Sequence, residues 1–299
     1  MSTQAQLTVF SPAKVNVYLR ILGRRADGYH DLETVMLPLS FGDELTLEAA
    51  PAVISLTCDN PTLPVDDMNL VVRAAKRFAE ATGIKAGVKM SLKKRTPLAA
   101  GLGGGSSNAA VVLEGLNQLW EANAPRETLD KLAAGMGSDI NFFLAGGAAL
   151  CRGRGERVEP VPCRLSAKIL LINPGFGIST KWAYENWAKM AAGLTAKAPD
   201  ASVLLRALAG DDLESVSRAL FNSLEAASVR KFPVLELLKD TMRAHGAAGA
   251  LMSGSGATVF GLFADAGKAE KAAGVIREQF GPSMWTFVTG FAGRDEIPR

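Results

Sequence analysis

Four glycines, Gly101, Gly103, Gly104 and Gly105, crowd into five positions, and Ser106, Ser107 and Asn108 follow directly. The run opens at Pro97 and leads into a segment whose apolar residues Ala109, Val112, Leu113, Leu116, Leu119 and Trp120 recur at the three-and-four spacing of a buried helical face. Each glycine costs roughly 0.5–1 kcal/mol relative to alanine in chain entropy, so a merely flexible loop explains so dense a cluster poorly. Glycine permits positive φ and close approach of the backbone to a ligand, and a helix N-terminus presents free N–H groups with about half a positive charge. Together these predict an anion site. Ser106 or Ser107 is expected to cap the helix, and either hydroxyl is placed to reach a phosphate or its magnesium.

Two familiar phosphate patterns fail on this loop. A Walker sequence needs a lysine followed by Ser or Thr after its second glycine, and the loop has no lysine. A dinucleotide fingerprint would read Gly101-x-Gly103-x-x-Ser106, with serine in place of the third glycine and no alternating βαβ run behind it.

Around the loop, Val15, Val17, Leu19 and Ile21 alternate with Lys14, Asn16, Tyr18 and Arg20, which predicts a strand over 13–21. Further strands are expected at Asp43–Glu48, Val53–Cys58 and Val88–Lys93, paired antiparallel, with one helix from about Met68 to Thr82 closed by Gly83. After Pro97 helices take over, with a second from Arg126 to Met136, then a short strand at Ala148–Arg152 and a turn at Gly153–Glu156. Pro160 and Pro162 suggest a boundary, giving lobes 1–163 and 164–299. The second lobe reads as strand Lys168–Asn173, a helix after Thr180 and a variable stretch with short helices around Gly193–Asp212. Helix Pro233–His245, strands Gly249–Ser253 and Ala257–Phe263, helix Gly267–Phe280 and strand Trp285–Phe291 complete it. The class is α+β, and the α-β-β-α-β order of the second lobe suggests helices packed on one face of an antiparallel sheet.

A chain of 299 residues that is 48% hydrophobic and 21% charged suits a soluble two-domain protein. No apolar run approaches the roughly 18 residues that span a bilayer, and the N-terminus lacks a basic region and an apolar core, so a cytoplasmic chain without a membrane role is expected. Cys58, Cys151 and Cys163, with His30 and His245, are too few and scattered for a disulfide framework or zinc site, so no metal ligand is assigned. Net charge is +3 and the basic residues are dispersed apart from Lys93-Lys94-Arg95. That run is too short for a nucleic-acid surface; it either helps gather polyphosphate or is a solvated strand end.

Other candidates are individually weaker. Ser253-Gly254-Ser255-Gly256 is either a hairpin turn or a second loop closing over the ligand from the other lobe. Tyr29 and His30, in the turn after the first strand, offer a stacking face and an edge that gives and accepts hydrogen bonds. Lys14 and Asn16 share one strand face, and Asp139 in Gly137-Ser-Asp-Ile-Asn141 is a potential helix cap or a free carboxylate.

In order along the chain, Pro12-Ala-Lys-Val-Asn16, Gly101–Ala110 and Met252–Thr258 resemble the GHMP kinase superfamily. Arg25-Ala-Asp-Gly-Tyr-His30 and Gly137-Ser-Asp139 are similar to the branch that acts on cytidine diphosphate methylerythritol, with further similarity at Asn69–Ala74, Gly153–Glu156 and Asn173–Thr180. Asn141 stands where that branch commonly has proline. The resemblance implies an N-terminal lobe like domain 2 of ribosomal protein S5 and a ferredoxin-like C-terminal lobe. It implies ATP and Mg²⁺, and transfer of the γ-phosphate to the 2-hydroxyl of the methylerythritol moiety. Asp139 matches the branch's catalytic base and Lys14 its catalytic lysine. Pro97, Leu98, Ala99, Ala100, Gly101, Leu102, Gly103, Gly104, Gly105, Ser106 and Ser107 would wrap the phosphates, with Asn69 and Leu70 at adenine. Tyr29, His30 and Tyr184 would hold cytosine, and Asn16 and Thr180 would add substrate contacts. The partner is then a small molecule rather than nucleic acid or membrane, the enzyme a monomer or weak homodimer. Three other readings remain open: a GHMP kinase for mevalonate- or homoserine-type substrates, a ligand sensor on a kinase scaffold, and a dinucleotide-dependent oxidoreductase.

Overall fold

The computed structural model describes residues 6–190 and 198–293. Two long strands, β1 (Gln6–Arg24) and β2 (His30–Ala50), form an antiparallel ribbon that begins at the Arg24–His30 turn. Then come β3 (Ile54–Cys58), α1 (Leu70–Thr82), β4 (Gly87–Lys93), α2 (Gly104–Leu119), α3 (Arg126–Ala134), α4 (Ile140–Ala145), β5 (Ala149–Gly153) and β6 (Arg157–Pro160). Among the described residues the first sheet has seven strands, in the order β3-β4-β2-β1-β8, with β5 also on β2 and β6 on β5. The strand β3 runs parallel to β4, against the antiparallel expectation. The cause is α1 between them: a helical crossover returns the chain in its starting direction, which a tight hairpin cannot do.

The chain continues through β7 (Lys168–Asn173), α5 (Thr180–Met190), α6 (Ala201–Ala209), α7 (Leu213–Arg218), β8 (Phe221–Asn222) and α8 (Glu225–Lys231). It ends with α9 (Val234–Ala244), β9 (Gly249–Met252), β10 (Val259–Phe263), α10 (Ala266–Phe280) and β11 (Trp285–Thr289). The second sheet is antiparallel, in the order β11-β7-β10-β9. Of the variable stretch expected at Gly193–Asp212, residues 193–197 lie outside the described residues, and α6 occupies most of the rest.

Three apolar layers explain the patterning. Helices α1 to α4 cover one face of the first sheet, with Phe78, Val112, Leu116 and Phe142 fully or almost fully buried against Leu45, Leu47 and Met90. Its other face meets the second sheet, where Val15, Val17, Leu37 and Leu39 pack on Ile169, Leu171, Phe260 and Leu262. The alternate residues of β7, Leu170 and Ile172, face α9 and α10 with Leu235, Leu238 and Ile276. The interior of β7, residues 169–172, is therefore buried on both faces, which is why it reads as an unbroken apolar run. Each such side chain contributes about 1.5–3 kcal/mol. The strand β8 is two residues long and pairs parallel with β1, Tyr18 opposite Phe221 and Leu19 opposite Asn222, so the later half of the chain reaches back into the first sheet. Among the described residues no helix is long and apolar enough to cross a membrane.

Candidate active site

The glycine loop bends sharply where α2 begins. Gly103, at φ 71°, is the residue before the helix, so Ser106 and Ser107 lie inside the first turn and neither caps it. The expected serine cap is thus corrected: a left-handed glycine starts the helix earlier than a serine would. The first N–H groups of α2 have no intrahelical acceptor, and Gly104, Gly105 and Ser106 line the cleft. Ser107 is buried beneath them, accepting a 2.8 Å hydrogen bond from Ser11 Oγ, and does not line the cleft, unlike every other predicted residue of the run.

Three walls press on the glycines. A methyl group on Gly101, whose φ is 77°, would lie 2.1 Å from the Ser253 carbonyl oxygen. On Gly103 it would lie 3.0 Å from Lys14 Cγ and Cε, and on Gly104 2.8 Å from Lys94 Nζ. Asp43, fully buried, anchors the segment that leads in: it accepts from the Arg95 and Thr96 N–H groups at 2.8 Å, from Asn108 Nδ2 at 3.0 Å, and from Lys94 Nζ. The Lys93–Arg95 run is therefore split, since Lys93 is at the surface with Glu44 and Lys94 is turned inward to the cleft.

Beside the loop, β1 carries Lys14, whose own N–H donates to Leu102 O at 2.9 Å. Lys14 is 3% exposed; its Nζ donates to Asn16 Oδ1 at 2.5 Å and lies 3.4 Å from Asp139 Oδ2. Asp139 stands where a cap residue of α4 would stand, yet makes no capping bond. Its side chain keeps 34% exposure and looks across at the ammonium. Asn141 donates to Asp130 O at 3.0 Å, tying α4 to α3.

From the other lobe, the loop between β9 and β10 closes directly on the glycine run. Ser253 Oγ donates to Gly101 O at 2.9 Å and accepts from the Asn16 N–H at 3.3 Å, and Thr180 Oγ1 is 3.1 Å from Ser255 Oγ. Asn222 holds this loop, donating to Met252 O and Gly254 O at 2.8 Å each.

The far end of the same cleft is aromatic. His30 stacks on Tyr184 with centroids 5.2 Å apart and meets Trp187 edge-on at 5.6 Å, whereas Tyr29 is 56% exposed with the Arg154 guanidinium 4.9 Å over its ring. His30 Nε2 is buried without a hydrogen-bond partner. Burial, and then the Arg24 charge, holds its imidazole below 6.5. Burial and then the Asp139 charge push the Tyr184 phenol up.

One cleft of about 1510 Å³ thus gathers Lys14, Asn16, Tyr29, His30, Asn69, Leu70, Asp139, Thr180 and Tyr184 with residues 97–106. Asn69 caps α1, accepting from the Val71 N–H at 3.0 Å. Sequence reasoning missed Asp43 and Asn222, which read as ordinary strand and loop residues, and Arg154, whose Gly-Arg-Gly-Glu turn was its only signal.

The described residues 69–147 match the family model of the GHMP kinases N terminal domain, and residues 204–281 that of the GHMP kinases C terminal. A protein of Syntrophus aciditrophicus called 4-diphosphocytidyl-2-C-methyl-D-erythritol kinase is 42% identical over 93% of this chain and 96% of its own. A crystal structure of 4-(cytidine 5'-diphospho)-2C-methyl-D-erythritol kinase is 37% identical and superposes with a TM-score of 0.78, covering 95% of this chain and 99% of that one. Homoserine kinase from Cytophaga hutchinsonii shares the fold, with a TM-score of 0.78 at 22% identity over 100% of this chain and 98% of its own.

Proposed function

Because the chain belongs to the 4-diphosphocytidyl-2-C-methyl-D-erythritol kinase family of GHMP kinases, we propose that its cleft transfers the γ-phosphate of ATP to the 2-hydroxyl of that cytidyl substrate, a step of non-mevalonate isoprenoid synthesis. The observation that carries the reading is the Lys14–Asp139 pair, 3.4 Å apart between a phosphate loop and an aromatic cluster in one cleft.

Adenine lies by Asn69 and Leu70, and the triphosphate runs over residues 97–106 to the free N–H groups of α2, whose dipole offsets its charge. Cytosine enters between Tyr29 and Tyr184, displacing Arg154 and offering its edge to the unpartnered Nε2 of His30. Asn16 and Thr180 hold the polyol between the two ends. Asp139 takes the proton of the acceptor hydroxyl as its oxygen bonds to the γ-phosphorus. The bond to the β–γ bridging oxygen breaks, and ADP leaves with that electron pair. The Lys14 ammonium, 3.4 Å from Asp139 Oδ2, offsets charge on the transferring group. Binding both substrates in one cleft supplies orientation, the main demand of phosphoryl transfer.

Among the described residues no cluster of His, Cys, Asp or Glu forms a metal cage. Mg²⁺ held chiefly by phosphate oxygens and water would need none, and the Ser106 hydroxyl, which lines the cleft, would supply one protein ligand. When bound, the ion would offset charge on the phosphate oxygens.

Coupled ADP release tests the reading. Turnover is expected with 4-diphosphocytidyl-2-C-methyl-D-erythritol and not with mevalonate or homoserine; the reverse preference would refute the assignment.

A further inference from the structure

The Lys14 ammonium leans on an amide whose direction is set elsewhere. Asn16 Oδ1 accepts from Lys14 Nζ at 2.5 Å, while Asn16 Nδ2 donates at 2.8 Å to Thr34 Oγ1 on the neighbouring strand β2. The Thr34 hydroxyl in turn donates to Tyr18 O at 2.6 Å. All of these side chains are buried, with Lys14, Asn16 and Thr34 each 3% exposed. The β1–β2 register slips by one residue between Asn16 and Tyr18, and Thr34 pairs opposite Leu19.

A hydroxyl has one proton to give. Thr34 gives its proton to the Tyr18 carbonyl, so towards Asn16 it acts only as an acceptor, and the amide must present its NH₂ to Thr34 and its oxygen to Lys14. The flipped amide would set two donors, Nδ2 and the ammonium, face to face. It would also force Thr34 either to lose its bond with Asn16 or to abandon the buried Tyr18 carbonyl, an expensive loss away from water.

We infer that Thr34 is a positioning residue for phosphoryl transfer: it fixes the polarity of the Asn16 amide, which anchors the Lys14 ammonium and leaves its remaining hydrogens for Asp139 and the phosphates. Thr34 acts through Asn16 and Lys14, and the inference rests on the phosphotransfer reading above.

Thr34→Val keeps the shape and removes the hydroxyl; Thr34→Ser keeps the hydroxyl. With ATP and the cytidyl substrate, Thr34→Val is expected to lower kcat by about ten- to a hundredfold, the range for losing a buried bond that serves a charged group, with ATP affinity by calorimetry unchanged. Thr34→Ser should recover wild-type kcat. In ¹⁵N-asparagine-labelled protein the Asn16 side-chain amide signals should move in Thr34→Val and stay in place in Thr34→Ser. A Thr34→Val enzyme with full kcat and unmoved Asn16 signals overturns the inference, and so does Thr34→Ser as slow as Thr34→Val. If the wild type itself gives no ADP with the cytidyl substrate, the reaction reading falls, while the Asn16 signals still decide the polarity. Should Thr34→Val not fold, hydrogen exchange of wild-type Asn16 decides: one slow amide hydrogen supports the bond to Thr34, and two fast ones overturn it.

Discussion

The two ends of the cleft are built by different means. The proposed phosphate end is lined by backbone: the start of α2, positive-φ glycines, and the second-lobe loop bonded to Gly101 through Ser253. Beneath it, Asp43, Asn108, Ser11 and Ser107 form a buried polar network that leaves little freedom. The proposed cytosine end is lined by side chains that contact mainly one another, with Tyr29 half-exposed and Arg154 resting on its ring. A triphosphate is the same in every kinase and rewards a rigid mould. A particular base is recognised by side chains, which must open to admit it.

The contrast can be broken by experiment. The largest effect is expected between the two ends, where Asp139→Asn should lower kcat about a thousandfold in the ADP-release assay, within the usual range for a general base, with ATP still binding by calorimetry. Retention of full turnover would revive the sensor reading. Gly101→Ala attacks the rigid end, placing a methyl group 2.1 Å from Ser253 O at a left-handed backbone position. Denaturant melts should show a loss of about 2–4 kcal/mol, with a raised KM for ATP. Unchanged melts would mean that the two loops are not in contact. Asn222→Ala leaves the carbonyls of Met252 and Gly254 without their buried donor, and should destabilise by about 2–3 kcal/mol while raising the KM for ATP.

Effects at the cytosine end should be milder and fall on the other substrate. Tyr29→Ala is expected to raise the KM for the cytidyl substrate about tenfold, the worth of one stacked base, and to leave the KM for ATP alone. If both constants rose together, the two ends would not be independent. The smallest effect is a pH dependence. His30 is held below its ordinary 6.5, so it is neutral at and above neutral pH. As pH falls through 6.5 the unfolded chain takes up the proton first, so this group's contribution to stability, present above 6.5, declines on the acid side. The KM for the cytidyl substrate should be flat above 6.5 and rise below it, and His30→Gln should remove that acid limb.

The same contrast explains what could be read from the sequence. Gly101–Gly105 is a local signal, because positive φ and close approach belong to the glycines themselves, while the α2 face announces itself by periodicity and the doubly buried β7 by its unbroken apolar run. The serine cap failed because a run of glycine and serine offers several equivalent starting points for a helix, and the walls at Ser253, Lys14 and Lys94 choose among them. Ser107 was misplaced for the same reason: one step along the first turn moves a side chain from the cleft into the core. Asp43 and Asn222 were invisible because their partners lie far away in sequence, Asp43 with Thr96 and Asn222 with Gly254. The Lys14 and Asp139 roles came only from resemblance, since nothing local tells a strand lysine that meets a carboxylate from one that meets water.

The sequence by itself determined the longer periodic elements and the glycine bend into α2, because hydrophobic period, glycine conformation and helix termini act over a few residues. The tertiary structure alone decided that Lys14 meets Asp139, that Ser253 seals Gly101, and that His30 stacks on Tyr184. Those contacts require the helices and both sheets to pack against one another, and packing is a property of the assembled layers that no short window of the chain contains.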